Sequence, residues 1–332
     1  MVFMQILSNG NLYTTMSMTD SDIQISPNAP FVFVVGCPRS GTTLLQRMLD
    51  NHPQLTIAND THFITRAAKR VLRKNPQPLL TPELVAAVQT YRRFYRMGLS
   101  EKDVEAAAED SLTYAAFVSR LYALRGQKKQ KKLSGEKTPD NCRNMPLLHG
   151  LFPASRFVHI IRDGRDTALS TLNWATESKG PGKWSLWNED PLATCALWWR
   201  WQAGMGECDG QKLGKNFYHR VRYEELVAEP EKELEAIATF LGIPYSESMV
   251  NYHEGKTRHQ PGLSAKSAWL PPVKNLRNWQ TDMSPEDIDV FEGIAGELLR
   301  ESGYKCRDQW QSAVVKSRVT QGLAWWESEG KS

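Results

Sequence analysis

The chain predicts an α/β fold: a doubly wound parallel sheet flanked by helices, with a helical insertion. Three observations predict it. Continuous apolar runs, Phe31-Val32-Phe33-Val34-Val35 foremost, have the character of parallel strands covered on both faces. Segments with apolar residues spaced by about 3.6 alternate with those runs, the order that a parallel sheet requires. The first run also enters Gly36-Cys37-Pro38-Arg39-Ser40-Gly41-Thr42-Thr43 and then the helical stretch Leu44–Leu49, a strand–turn–helix unit of the P-loop type.

In order along the chain, residues 1–28 are polar and read as a flexible leader, 29–310 as a single domain, and 311–332 as a C-terminal tail. Phe31–Val35 is the first strand and Leu55–Ala58 a short second one. The insertion, 63–132, reads as helices over Ile64–Lys74, Pro82–Met97 and Glu101–Leu124. It closes on the basic run Lys128-Lys129-Gln130-Lys131-Lys132, read as a solvated loop. Arg156–Ile161 is the third strand, followed by a helix over Asp166–Trp174. Leu192–Met205 is a helix in which the spacing of Trp198 and Trp201 marks core positions. Asn216–Tyr223 reads as a strand, and Pro230–Leu241 as a helix stopped by Gly242. Residues 255–280 read as irregular. Pro285–Ser302 is the last helix, with Ser284 as its N-cap.

Forty-one basic against 37 acidic residues leave a net charge of +4, too mild for a nucleic-acid partner. The five cysteines are scattered, odd in number and without C-x-x-C, which argues against a disulfide scaffold or zinc site. No apolar run approaches the roughly 18 residues of a membrane span. Together these features predict a cytoplasmic protein without a membrane span.

The loop after the first strand is an anion cradle, because backbone N–H groups and the positive end of a helix dipole converge there. Thr42 stands where the P-loop lysine belongs, and Arg39 is the nearest cation. A second strand-to-helix turn, Ile161-Arg162-Asp163-Gly164-Arg165 through Ser170, offers two guanidinium forks and a hydroxyl for another phosphate. An Arg162–Asp163 ion pair capping the helix is the structural alternative. Two cradles on neighbouring strand ends point to a nucleotide phosphorylated at both ends.

Pro38-Arg39-Ser40-Gly41-Thr42-Thr43-Leu44-Leu45 and the segment from Ile161 to Ser170 resemble the two signatures of sulfotransferases, whose donor is 3′-phosphoadenosine 5′-phosphosulfate (PAPS). The resemblance runs from about residue 30 to 305 and is strongest to the branch with tyrosylprotein sulfotransferases and many bacterial members. Asp50-Asn51-His52-Pro53, Gly135-Glu136-Lys137-Thr138-Pro139, Arg222-Tyr223-Glu224-Glu225-Leu226 and Phe240-Leu241-Gly242-Ile243-Pro244 carry it.

That resemblance implies residue roles. Ser40, Gly41, Thr42 and Thr43 would hold the 5′-phosphosulfate, Arg162 and Ser170 the 3′-phosphate, and Tyr223 would lie near the adenosine end. Arg39 would stabilise the bridging oxygen, with Lys137 beside it. The branch has a glutamate base after the second strand; Asp60, one methylene shorter, stands there, with His62 as runner-up. Ser264 matches the late loop over the phosphosulfate, and Lys274 and Arg277 are looser matches. Trp174 stands where the branch has another 3′-phosphate arginine, and Arg165 is a candidate to compensate.

Trp184 and Trp187, around the Gly/Pro-rich loop, are candidates for an acceptor pocket or lid. The histidines lack metal-ligand spacing, so no metal is assigned. The reading is sulfuryl transfer from PAPS to a hydroxyl (or amine) of a small-molecule or peptide acceptor, by in-line attack without metal. A P-loop kinase and an inactive nucleotide-binding protein of the same fold are the alternatives. Ala324-Trp325-Trp326 admits a packing contact, a homodimer contact or a docked terminus.

Overall fold

Period-2 alternation sets the centre of the molecule. Val32 and Val34 of β1 (Val32–Val35) bury their side chains on one face of the sheet, Phe33 and Val35 on the other. A strand apolar on both faces belongs inside a sheet covered by helices. In the computed structural model, which describes residues 31–109, 111–254, 278–307 and 312–330, that is its place. Five parallel strands run in the order β2-β3-β1-β4-β5, where β2 is Leu55–Asn59, β3 Leu133–Lys137, β4 Arg156–Ile161 and β5 Tyr218–Arg222. The order reverses at β1, so the loop after it opens at the switch point where such sheets bind ligands.

One face is covered by α1 (Thr42–Asp50) with α10 (Tyr223–Ala228) and α11 (Pro230–Leu241), through Leu45, Met48, Leu226 and Ile237. The insertion covers the other. It comprises α2 (Phe63–Arg66), α3 (Lys69–Lys74), α4 (Pro82–Gln89), α5 (Glu101–Glu109) and α6 (Tyr114–Lys128). It is more broken than apolar spacing alone predicts. Thr81 and Thr113 cap α4 and α6 through their hydroxyls, and Gly98 (φ 66°) ends a 3-10 turn over Phe94–Met97. The basic run behind α6 is not simply a solvated loop. Lys131 Nζ donates to Leu55 O at 3.0 Å and to Asp50 O, capping the carbonyl end of α1.

After α7 (Met145–Leu151), a third core forms among α8 (Gly164–Leu172), α9 (Pro191–Leu213), α13 (Pro285–Glu301) and α14 (Ala313–Trp325). The remaining helix is α12 (Trp279–Asp282). Helix α9 runs past the expected stop at Met205 because Gly206 and Gly210 serve close packing. A Cβ would fall 2.6 Å from the His159 ring at Gly206 and 2.2 Å from the Tyr218 ring at Gly210. The predicted C-terminal tail is largely the packed helix α14. Trp325 and Trp326 lie 5.2 and 5.7 Å from Trp184, so this segment is docked on its own chain.

Two expectations fail in instructive ways. Arg156–Ile161 is the fourth strand, since Leu133-Ser134-Gly135-Glu136-Lys137 forms β3 with barely any apolar side chains. Trp184 and Trp187 do not stand free as a lid; they are half-buried. Both pack against the third core, Trp184 edge-on to Trp198 at 5.3 Å.

Candidate active site

The carboxyl ends of the strands bring four segments together. Gly41 adopts φ 92° at the N-cap of α1, and a Cβ there would fall 2.4 Å from the Tyr223 ring, so only glycine fits. Leu45 is the first residue of α1 whose N–H reaches an intrahelical carbonyl, that of Gly41 at 3.1 Å. The N–H groups of Thr42, Thr43 and Leu44 therefore face the loop mouth, as an anion requires. Ser40 Oγ lies 3.4 Å from Thr167 Oγ1 on α8, binding the first loop to the second.

On that second loop, Arg162 is 4% exposed, lies 4.4 Å over the Tyr223 ring and approaches Asp166 at 3.5 Å. Its Nε is buried without a hydrogen-bond partner among the described residues. A buried guanidinium with a donor to spare fits a phosphate ligand. Ser170 is occupied from the other side: Arg39 Nε donates to its Oγ at 3.0 Å. Arg39 (φ 80°) also lies 5.9 Å from the Trp174 ring, whose other cation is Lys179 at 4.5 Å.

Arg165 does not compensate for Trp174. Its Nε and Nη2 bond both oxygens of Asp163 at 3.0 and 2.7 Å, its Nη1 bonds Glu292 at 2.6 Å, and it stacks 3.6 Å over Trp279. With both edges taken, this guanidinium is structural.

Lys137 is fully buried at the end of β3, where a surface lysine is excluded. Its ammonium donates to Asp60 Oδ1 at 2.9 Å and Thr43 Oγ1 at 3.3 Å. The loop after β1 and the carboxylate after β2 thus share one cation. Burial works to raise the Asp60 pKa, but the Lys137 ammonium and its hydrogen bond, with His62 and Arg93 farther off, hold it below the ordinary carboxylate value. Burial lowers the pKa of Lys137, with Asp60 opposing. His62 Nε2 lies 4.0 Å from the same carboxylate, and burial with Arg66 and Arg93 nearby pulls its pKa to about 4. It is the weaker candidate base.

The structure adds residues that spacing missed. Arg96 approaches Asp60 Oδ2 at 3.7 Å, and Arg93 donates to Asp60 O at 3.4 Å. Both come from the insertion, and no local pattern links them to residue 60. Ser264, Lys274 and Arg277 lie outside the described residues. Among the described residues no group of three His, Cys, Asp or Glu side chains is placed to hold a metal ion.

Residues 30–247 match the model of the Sulfotransferase family. Protein-tyrosine sulfotransferase A of Caenorhabditis elegans is 24% identical over 291 residues, covering 86% of this chain and 70% of the relative. Protein-tyrosine sulfotransferase 2 of Gallus gallus is 26% identical over 296 residues, covering 86% and 71%. The sulfotransferase domain from the curacin biosynthetic pathway superposes with a TM-score of 0.57 at 18% identity, covering 84% of this chain and 99% of that domain. That likeness shows the fold.

The expected cytoplasmic location is overturned by the match to the protein-tyrosine sulfotransferases. Among the described residues no helix is long and apolar enough to cross a membrane, but that does not report a compartment. Nor do the cysteines, since Cys37, Cys142 and Cys195 are buried and shielded from oxidants wherever the protein resides.

With its family model spanning the loops after β1 and β4 and the Asp60–Lys137 pair between them, the chain belongs to the sulfotransferase family and is an enzyme of sulfuryl transfer.

Proposed function

We propose that this enzyme transfers the sulfuryl group of PAPS to an acceptor hydroxyl, with Asp60 as the base and Lys137 and Arg39 as the cations. The observation that carries the assignment is the Lys137 ammonium bridging Thr43 of the donor loop and Asp60. When bound, the donor supplies an electrophilic sulfur and a bisphosphate leaving group. The α1 N-terminus, with Ser40, Thr42 and Thr43, would hold its 5′ end. Arg162 and Ser170 would hold its 3′-phosphate, and Tyr223 would wall the nucleoside side. Asp60 receives the acceptor proton. Its paired state makes it a weak base at rest, and each step of Lys137 toward anionic oxygens of the donor raises its basicity.

The acceptor side carries Arg66, Arg93, Arg96 and Lys179. Burial together with Arg39 and Arg93 lowers the Lys179 pKa, whereas Arg66 is paired with Asp140 at 2.6 Å and Arg96 approaches Asp60 at 3.7 Å. The charge of Lys179 and Arg93 favours an acceptor bearing negative charge near its reacting hydroxyl. A tyrosine hydroxyl, the group named for the relatives, is the first to test. Calorimetric titration with adenosine 3′,5′-bisphosphate, beside ATP–magnesium and adenosine 5′-monophosphate, tests the donor site. Binding that collapses without the 3′-phosphate is the expected result; preference for ATP–magnesium overturns it in favour of a kinase.

A further inference from the structure

Asp60 (φ 52°) and His62 (φ 60°) both hold left-handed backbone, one on either side of Thr61. Such non-glycine residues are strained by about 1–3 kcal/mol each and persist only where the surroundings over-determine them. Three consecutive residues at the end of β3 grip this turn. Lys137 O accepts from Asp60 N at 2.6 Å, and Thr138 Oγ1 accepts from His62 N at 3.3 Å. Glu136 takes the residue between: its Oε2 accepts from the Thr61 hydroxyl and from Tyr122 OH at 2.9 Å, and its Oε1 from Asn141 Nδ2 at 2.5 Å.

Glu136 is fully buried, and among the described residues no salt bridge joins it. A buried carboxylate held only by neutral donors is an expensive way to build a strand, so a plain packing role explains it poorly. We infer that Glu136 is a positioning residue, its carboxylate gripping Thr61 so that the strained turn keeps Asp60 against Lys137. This rests on Asp60 being the base. It also explains why β3 ends in charged residues rather than valines: the strand terminus is a template for the turn beside it.

Thr61→Val keeps the shape of the side chain and removes the hydroxyl. Glu136→Gln keeps an acceptor for Thr61, because Asn141 Oδ1, buried without a partner, is available to take the new amide hydrogen after a flip. In Thr61→Val, hydrogen exchange at the Asp60 and His62 amides should accelerate by about tenfold or more, with helix α13 unchanged. With PAPS and a tyrosine-containing peptide, kcat should fall about tenfold while bisphosphate affinity and acceptor KM hold. The acid limb of its kcat profile should move to higher pH, since Asp60 leaves its cation while remaining buried. Glu136→Gln should stay close to wild type in each readout.

Unchanged exchange in Thr61→Val, or a Glu136→Gln protein as impaired as Thr61→Val, overturns the inference. Asp60→Asn is the separate control. If it keeps full turnover, the base assignment falls, whereas a slow Asp60→Asn beside a normal Thr61→Val sinks only the role of Glu136. The exchange measurement decides the positioning whatever acceptor the enzyme takes.

Discussion

Arg39 Nε donates to Ser170 Oγ at 3.0 Å, so the only arginine of the Gly36–Thr43 loop reaches across to helix α8. Both ends of a donor bridging the two loops would meet this contact. Arg39→Ala should therefore lower kcat by about tenfold or more, with only a modest loss of bisphosphate affinity. Steady-state kinetics beside calorimetry separates the two effects. Normal turnover in Arg39→Ala would remove Arg39 from the machinery.

Arg162 behaves differently because its orphaned Nε lies in the second loop. A charge-assisted hydrogen bond contributes about 1.5–3 kcal/mol. Arg162→Ala should thus weaken adenosine 3′,5′-bisphosphate binding by roughly ten- to a hundredfold, while adenosine 5′-monophosphate binds as before. Equal losses for both nucleotides would move the 3′-phosphate elsewhere.

The buried Asp60–Lys137 pair makes stability depend on pH in a definite direction. With Lys137 in place, the Asp60 pKa is depressed, so its contribution is present above the ordinary carboxylate pKa and is lost as pH falls through the depressed value. Lys137→Met strands the carboxylate, and breaking such a pair costs about 3–5 kcal/mol. Burial then raises the pKa, so the deficit should be largest at neutral pH and shrink in acid as Asp60 protonates. Urea denaturation at several pH values checks this; a pH-independent deficit would mean that the two side chains are not coupled.

Trp184 touches four tryptophans, among them Trp325 and Trp326, and Trp325 Nε1 donates to Ser185 Oγ at 2.7 Å. The same loop carries Lys179, and a Cβ at Gly180 there would fall 2.4 Å from the Trp174 ring. Trp184→Ala should destabilise by about 3 kcal/mol, the low end for truncating a packed aromatic. It should also raise acceptor KM more than it weakens bisphosphate binding. An unfolding midpoint equal to wild type would show the cluster to be dispensable.

What the sequence makes legible follows from where each signal is local. The first strand, the Gly36–Thr43 loop and the Arg162 turn are read directly, because apolar continuity and glycine placement lie within a few residues. Strand β3 is not, because its Glu136 and Lys137 are admitted to the interior by Thr61, Tyr122 and Asp60, far away in the chain. Arg165 misleads for the same reason. Its partner Glu292 stands 127 residues later, so a structural guanidinium looks identical in sequence to a phosphate ligand. Trp184 sits in a loop whose glycines suggest a lid, and only the docking of α14 reveals it as packed against the third core.

The Asp60–Lys137 contact spans 77 residues, across the whole insertion and between adjacent parallel strands. Parallel pairing of this kind forms late, because a long loop must close before any contact is gained. The helices of the insertion need no such closure to begin forming. On refolding from denaturant, the helical signal should consequently return ahead of turnover, and an intermediate that looks largely native by circular dichroism would still be unable to catalyse.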